Sequence, residues 1–477
     1  MALGSTMSCS FKIIAEEIDA LIDTRKVYGA YTKDANHIAP MGHDVPGIGI
    51  ALNGLSLSLY SDCGQELTKM SCSTQSVPGT AAARATNRER AAWFALAILL
   101  LFSIAAPLNQ FKIPPIMPIL MGAFNLSVGR AGLLMSVYAV TGLALALPAG
   151  FIFQKLGYRI TGLIAGGSIV LGAVLGATSS GMGSLLMSRV IEGIGTSFMA
   201  VLAPAIIAVR FAAQKRGAAM GIWSAWVPIG STSMLILAPI LSQGTNWRVV
   251  WWFGCVYALV ATALFVVFVR PASDSTADGS QPSPLPVASA AELLRNRDVW
   301  LIGLAFAFHV TATMAFGTFL PTYLNVVHGL PLSQAAFPSS VMSMIIIFSC
   351  PAGGILSDRI GSRKRLFVLG MALVAVIMPL TAVIGRDTLI ALVVAQGLVV
   401  GLVPTNIFSA AVEVAGDERL GGLAMGIIMA GQNAGMLVGP IVFGALVESA
   451  GGWPLAFGSL AVMCLLGAWA GWLSRAR

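Results

Sequence analysis

Charge is scarce in this chain. Only 10% of its 477 residues are Asp, Glu, Lys or Arg, against about 25% in an average soluble domain. A surface so poor in ions cannot keep a water-exposed globule in solution, which excludes a soluble enzyme. Cysteine is sparse too. The six thiols, Cys9, Cys63, Cys72, Cys255, Cys350 and Cys464, show no metal-ligand spacing and suggest neither a disulfide framework nor a metal site. The chain also lacks a Gly-x-x-x-x-Gly-Lys-Ser/Thr phosphate loop, a Gly-x-Ser-x-Gly elbow and a His-Glu-x-x-His pair. Without them, ATP-driven transport within this chain and intramembrane hydrolysis have no machinery, and no cofactor is expected.

Apolar residues dominate instead. They make up 57% of the chain, at a mean hydropathy of +0.84. Gly 52 and Pro 23 would signal disorder in a polar chain, but here they fit the interiors of membrane-spanning helices. The formal net charge is +8. Its basic residues sit in short loops and not along one amphipathic face, so they read as membrane orientation and not as nucleic-acid binding.

Residues 1–88 form a distinct segment with 8 of the 20 acidic residues and no run near the roughly 18 apolar residues that a span needs. They read as a poorly ordered cytoplasmic extension. Met70 stands shortly before the first apolar run and offers an alternative start, which N-terminal mass spectrometry of the native protein would detect. From Ala91 onward, apolar runs of about 20 residues alternate with short polar breaks, each suited to a hydrocarbon core about 30 Å thick. The expected spans are 91–113, 128–152, 160–179, 183–208, 217–241 and 249–269, then 299–324, 335–357, 365–384, 389–412, 421–446 and 453–473. Residues 271–297 between the two groups begin as a Ser-, Pro- and Asp-rich linker and end near Glu292, Arg295 and Arg297 in a short surface helix. The expected organisation is therefore an N-terminal bundle at 89–270 and a C-terminal bundle at 298–477.

With the N-terminus inside, eighteen loop Lys and Arg after residue 83 fall on the cytoplasmic side and four on the outer side, namely Lys112, Arg130, Arg248 and Arg386. An even number of spans then places both termini inside. The two halves also repeat. Gly217 to Ile222 reads GAAMGI and Gly422 to Ile427 reads GLAMGI, 205 residues apart. Gly150 and Gly354 are 204 apart, and Trp247 and Trp453 are 206 apart. Such spacing implies a duplicated six-helix unit with a site between the copies, the arrangement of alternating access.

Two loops carry recognisable motifs. The C-terminal one runs Gly354, Ile355, Leu356, Ser357, Asp358, Arg359, Ile360, Gly361, Ser362, Arg363, Lys364; the N-terminal one contains Gly150, Gln154, Gly157 and Arg159. The fourth span holds Arg189, Glu192, Gly193 and Gly195 in an Arg-x-x-x-Gly-x-Gly frame. These elements resemble the signatures of the major facilitator superfamily. The resemblance covers about residues 90 to 475 and implies an all-α integral membrane protein of twelve helices in two pseudo-symmetric six-helix bundles. It also implies that the loop residues form a conformational lock on the cytoplasmic side, with Gln154 standing where the family usually has Asp. Within the family the chain is loosely similar to bacterial nitrate- or cyanate-type and organic-anion permeases. Nitrate carriers place arginines inside the second and eighth spans, and neither span interior has one here, which favours an organic anion.

A charge at mid-membrane costs roughly 2.5 to 3.5 kcal/mol on insertion scales, so ionisable residues there should face a partner or a cavity. Arg189 and Glu192 lie three apart on one helix face, either as a structural ion pair or with Glu192 carrying a proton. Asn109, Gln110 and Lys112 precede Pro114 and Pro115 at the end of the first span, a break of the kind that lines a cavity. Lys112 there either binds an anion or snorkels to the outer headgroups. His309, Thr311, Thr313, Gln396, Asn406, Gln432 and Asn433 are further candidates, with helix packing the competing role of each. Pro228 and Gly230 keep only a remnant of the family's antiporter motif.

The resulting expectation is a secondary transporter, a monomer in the bacterial inner membrane. Its partners are the lipid bilayer, a small, anionic solute and protons, and nucleic acid is not among them. Efflux of drugs or metabolites by proton antiport and a non-transporting receptor of the same fold are the alternatives.

Overall fold

The computed structural model describes residues 78–146, 148–243, 246–269, 293–383, 385–415 and 420–475. The expected extension up to residue 77 and the linker up to residue 292 lie outside the described residues. A chain crossing hydrocarbon must satisfy its backbone N–H and C=O groups internally, and this one does so as helix. In the N-terminal half the helices are α1 Pro78–Gln110, α2 Met117–Phe124, α3 Val128–Ser136, α4 Tyr138–Leu145, α5 Pro148–Ala177, α6 Met182–Arg210, α7 Ala213–Ser224, α8 Trp226–Leu241 and α9 Arg248–Phe268. The C-terminal half has α10 Arg297–Val326, α11 Leu332–Ile360, α12 Arg363–Leu380, α13 Arg386–Val400, α14 Leu402–Ala415, α15 Gly421–Glu448 and α16 Gly452–Leu473. Among the described residues, eleven helical segments are long and apolar enough to cross a membrane. The expected span at 365–384 is α12, which opens on Arg363, Lys364 and Arg365 and so keeps a shorter apolar stretch.

Several boundaries differ from the expected ones. The first span does not end at residue 113. A 3-10 turn at Pro114–Ile116 leads into α2, which adds about 12 Å at 1.5 Å per residue. Lys112 therefore lies inside the span and is not an outer-surface residue. The second span is jogged between α3 and α4, and α5 then runs from the second span into the third with one break, at Gly157. The fifth span is split at Ala225 and the tenth at Gly401.

The repeat is visible in the backbone. Gly157 (φ 69°) and Gly361 (φ 70°), 204 residues apart, turn the second-third and eighth-ninth connections in the left-handed region that side chains disfavour. A Cβ on Gly193 of the fourth span would strike the carbonyl of Tyr138, and one on Gly397 of the tenth would press on the carbonyl of Met342, again 204 residues on in each case. Gly230 seats the fifth span on Ile104 and Pro107 of the first; Gly435 seats the eleventh on Ala307 and Thr311 of the seventh. The outer faces are apolar and open, as at Leu171, Val256, Leu259, Leu465 and Trp469, which suits lipid and not water.

Between the halves, α15 packs on α3 and α4, and α8 packs on α11. At the end that carries Glu448, this seam is tight: Gly444 lies on the Gly129 backbone, Gly132 on the carbonyl of Pro440. The Gly129 N–H, in the first turn of α3, donates to Glu448 Oε1 at 2.6 Å across the halves. A carboxylate at a helix N-terminus is favoured by the dipole as well as the hydrogen bond. At the opposite end, the ion pairs of Lys215 with Glu89 and of Arg363 with Glu413 each stay within one half. Replacing Glu448 with alanine should therefore loosen the seam at its own end. Hydrogen–deuterium exchange across residues 127–135 should rise several-fold, and unchanged exchange would assign no closing role to the carboxylate.

Candidate functional site

Pro114 and Pro115 explain why α1 stops at Gln110. A helix continuing through them would need the Pro114 N–H to reach the Gln110 carbonyl, and proline has none. The stranded carbonyls of Asn109 and Gln110 are satisfied from another span. Arg189 donates Nη1 to Asn109 O at 2.7 Å, Nη2 to Gln110 O at 2.9 Å and Nε to Leu134 O at 3.1 Å. One guanidinium thus ties the first, second and fourth spans, and its fork supplies several directed donors at once. A cation at the C-terminal end of α1 also complements the helix dipole.

Arg189 pairs with Glu192, three residues on along the same face. The other carboxylate oxygen of Glu192 accepts from Lys112 Nζ at 2.5 Å, and Lys112 also donates to Asn109 Oδ1 at 3.1 Å. Aromatic faces flank both cations. Arg189 lies 4.5 Å from the Tyr138 ring centre and Lys112 lies 4.5 Å from that of Trp251. The Tyr138 hydroxyl bonds to Ala106 O at 3.2 Å and to Thr196. Arg189, Glu192 and Lys112 all have 0% exposure. Lys112 therefore does not snorkel; of its two readings this one fails because α2 carries the chain on beyond it. One carboxylate between two cations leaves a formal charge of +1 sealed inside the N-terminal half.

A cavity of about 160 Å³ lies between the halves, and the triad itself does not line it. Phe111, which separates Gln110 from Lys112, forms part of its wall with Val227, Pro228, Ser231 and Leu235 of the fifth span. The C-terminal half contributes Thr313, Met314 and Gly317, Ser339, Met342, Ser343 and Ile346, and Gln396 with Val400. Thr313 and Ser231 hydroxyls bond within their own helices. By contrast, Gln396 and Ser339 have 0% exposure, and neither the amide atoms of the one nor the hydroxyl of the other has a partner among the described residues.

The remaining sequence candidates are dispersed. His309 is buried and stacks on Phe306, away from the cavity wall. Asn433 donates to Met429 O on its own helix at 2.8 Å and packs into the gap left by Gly142 of the second span. Gln432 is half-buried and Asn406 ties α14 to the Gly353 carbonyl; neither lines the cavity. In the loop motif, Arg363 Nε donates to Glu413 at 2.7 Å and its Nη2 stands 4.0 Å from Asp358. Lys364 donates to Ser474 O, and Arg359 and Gly361 are exposed. Arg159 in the N-terminal copy is exposed as well; the surroundings of Gly150 and Gln154 lie outside the described residues.

Sequence reasoning missed Phe111, Tyr138, Trp251 and Ser339. It also missed that Gln396 stands 204 residues after Glu192 and Gly397 after Gly193. The repeat spacing carried that signal. Gln396 is the C-terminal counterpart of the buried carboxylate, of the same shape and without its charge.

Comparison with known proteins bears on family and fold. The model of the Major Facilitator Superfamily matches residues 99–421 and 353–477. A probable sulfoacetate transporter of Cupriavidus necator is 24% identical over 76% of this chain and 89% of its own length. A nitrite extrusion protein of Bacillus subtilis is 23% identical over 72% and 84%, and a probable nitrate transporter of Staphylococcus epidermidis 24% over 73% and 88%. Among solved structures, a bacterial homologue of the human lysosomal transporter Spinster superposes with a TM-score of 0.70 at 16% identity, covering 80% of this chain and 96% of that one.

Proposed function

We propose, from the premise that this chain belongs to the Major Facilitator Superfamily and is a multi-pass secondary transporter and not an enzyme, that it moves a small organic anion together with a proton. The observation that carries this reading is Lys112, fully buried, bonded to Glu192 at 2.5 Å and one residue from a wall of the cavity between the halves. With Glu192 ionised, Lys112 is occupied. When Glu192 takes a proton, Lys112 and Arg189 lose their counter-charge, and an anion entering beside Phe111 supplies it. Proton and anion then bind together and leave together, because each removes the electrostatic cost of the other in a low-dielectric site. The two halves rock about the cavity, with Glu448 holding the outer seam and the Asp358 loop on the cytoplasmic side. The loop charges support both termini facing the cytoplasm of a bacterial cell, and a single chain holds the whole site, which supports a monomer.

A thermal-shift screen of the purified protein tests this with carboxylates, inorganic anions and cationic drugs. A small carboxylate should raise the melting temperature, because a ligand at a hundred times its Kd stabilises by about 2.7 kcal/mol. The Lys112→Met variant should lose that response. Uptake into proteoliposomes then separates transport from reception: saturable binding without accumulation would mark a receptor. The apolar wall of Val227, Leu235, Met314 and Ile346 favours a second reading, proton-driven export of an apolar compound. A response to cationic drugs alone would select it.

A further inference from the structure

The cavity has two unlike walls. The N-terminal one is apolar at Phe111, Val227 and Leu235, and Ser231 is already satisfied within its helix. Across from it stand the only hydrogen-bonding groups of the lining that are both fully buried and unpartnered among the described residues, the Gln396 amide and the Ser339 hydroxyl. Leaving such groups unsatisfied in a dry interior is unfavourable. The chain nonetheless keeps an amide at 396, where its repeat partner at 192 is a carboxylate engaged on both oxygens.

An amide presents a donor and an acceptor side by side. Nε2 and the Ser339 hydroxyl can both donate to a carboxylate, but Oε1 needs a donor in return. An acceptor-only oxyanion such as nitrate leaves Oε1 unpaired. A carboxylate with a neighbouring hydroxyl satisfies both. The volume adds a bound on size, since an engineered cavity of about 150 Å³ takes up benzene. Sugar acids exceed that; a short-chain hydroxy acid does not.

We propose that Gln396 is the specificity-determining residue for the transported solute, and that it selects a short-chain hydroxy acid anion whose hydroxyl donates to Gln396 Oε1, while Ser339 donates to the carboxylate and the hydrocarbon body lies against Val227 and Leu235. The inference rests on the reading that the solute occupies this cavity. It assigns hydroxyl recognition to Gln396, while the repeat counterpart Glu192 serves as the counter-ion of Lys112 and Arg189.

Binding to the full-length protein in lipid nanodiscs provides the test, with 2-hydroxybutyrate, butyrate, nitrate and glucuronate as probes in calorimetric titration. Wild type should bind 2-hydroxybutyrate at least about tenfold more tightly than butyrate, the gap expected for one buried acceptor left unpaired, and more tightly than nitrate or glucuronate. Gln396→Leu, close in volume and apolar, should bring the two acids within about twofold of each other. Ser339→Ala, the milder change, should weaken both acids alike and leave their ratio intact. Equal binding of the two acids by wild type, tighter binding of nitrate, or a ratio that survives in Gln396→Leu would overturn the assignment. The outcome is separable from the anion reading. If both acids bind wild type equally and both are lost in Lys112→Met, the hydroxyl selectivity fails and the anion site stands. If neither acid binds wild type, both readings fall.

Discussion

The Arg189→Met variant should reach the membrane yet transport at least about a hundredfold more slowly than wild type. Methionine keeps an unbranched side chain and removes a charge that costs roughly 2.5 to 3.5 kcal/mol to insert, so insertion is not the step that suffers. The folded site is. Three carbonyls, of Asn109, Gln110 and Leu134, lose their donor together, that of Gln110 stranded by the missing N–H of Pro114. Each orphaned buried group costs about 1 to 3 kcal/mol. Glu192 keeps Lys112 but loses its second cation, and truncating one side of a buried pair typically costs about 3 to 5 kcal/mol. A lower melting temperature and a misplaced Phe111 in the cavity wall result from the same loss. Arg189→Lys separates charge from geometry. It restores the charge at a point, but an ammonium cannot fork toward three spans, so it should recover part of the stability and little of the transport. Wild-type rates in Arg189→Met would remove this residue from the mechanism.

How far fold and site are legible in the sequence depends on what sets each signal. Spans are legible because hydrophobic length is set by the bilayer, although their ends shift where the chain is redirected, as after Lys112. The duplication is legible because small residues at helix seams are fixed by close approach: Gly230 and Gly435 seat equivalent spans on equivalent neighbours. The pairing of Arg189 with Glu192 comes from helical spacing. The third member does not. Whether Lys112 points to headgroups or inward turns on the residues after Pro115, and the sequence there reads equally as a span end or as a 3-10 turn leading into α2. Length alone favours the wrong side of that choice. Ser339 and Phe111 are invisible for another reason. A serine or phenylalanine in an apolar span has no signature of its own, and only the packing of one half on the other places it in a cavity wall. Gln396 falls between these cases. It stands out as a polar residue in an apolar run, yet its meaning comes from its distance to Glu192, a comparison that the repeat makes available.

Glu192→Gln distinguishes the two roles that the triad can have. Glutamine keeps the shape of the side chain, one acceptor for Lys112 and one polar group toward Arg189, but it cannot exchange a proton. If Glu192 is only a structural counter-ion, then neutralising it weakens the fold and every transport mode falls alike, because the cost of two unpaired cations applies whatever drives the flux. If it carries the coupled proton, the modes separate. Solute-for-solute counterflow returns the loaded protein across the membrane without any proton leaving, so it should persist within a few-fold. Accumulation driven by a pH gradient requires release on one side and uptake on the other, and it should vanish. The sign is fixed as well. With acid outside, wild-type proteoliposomes should accumulate the anion, the reversed gradient should deplete it, and Glu192→Gln should respond to neither. Its residual counterflow should also lose pH dependence. The double variant Lys112→Met with Glu192→Gln completes the comparison, since it restores a formal charge of +1 by leaving Arg189 alone. It should melt higher than Glu192→Gln while binding the anion more weakly, because the cation that meets the solute has gone. Equal losses of counterflow and gradient-driven uptake in Glu192→Gln would make the buried triad a brace for the broken first span and nothing more.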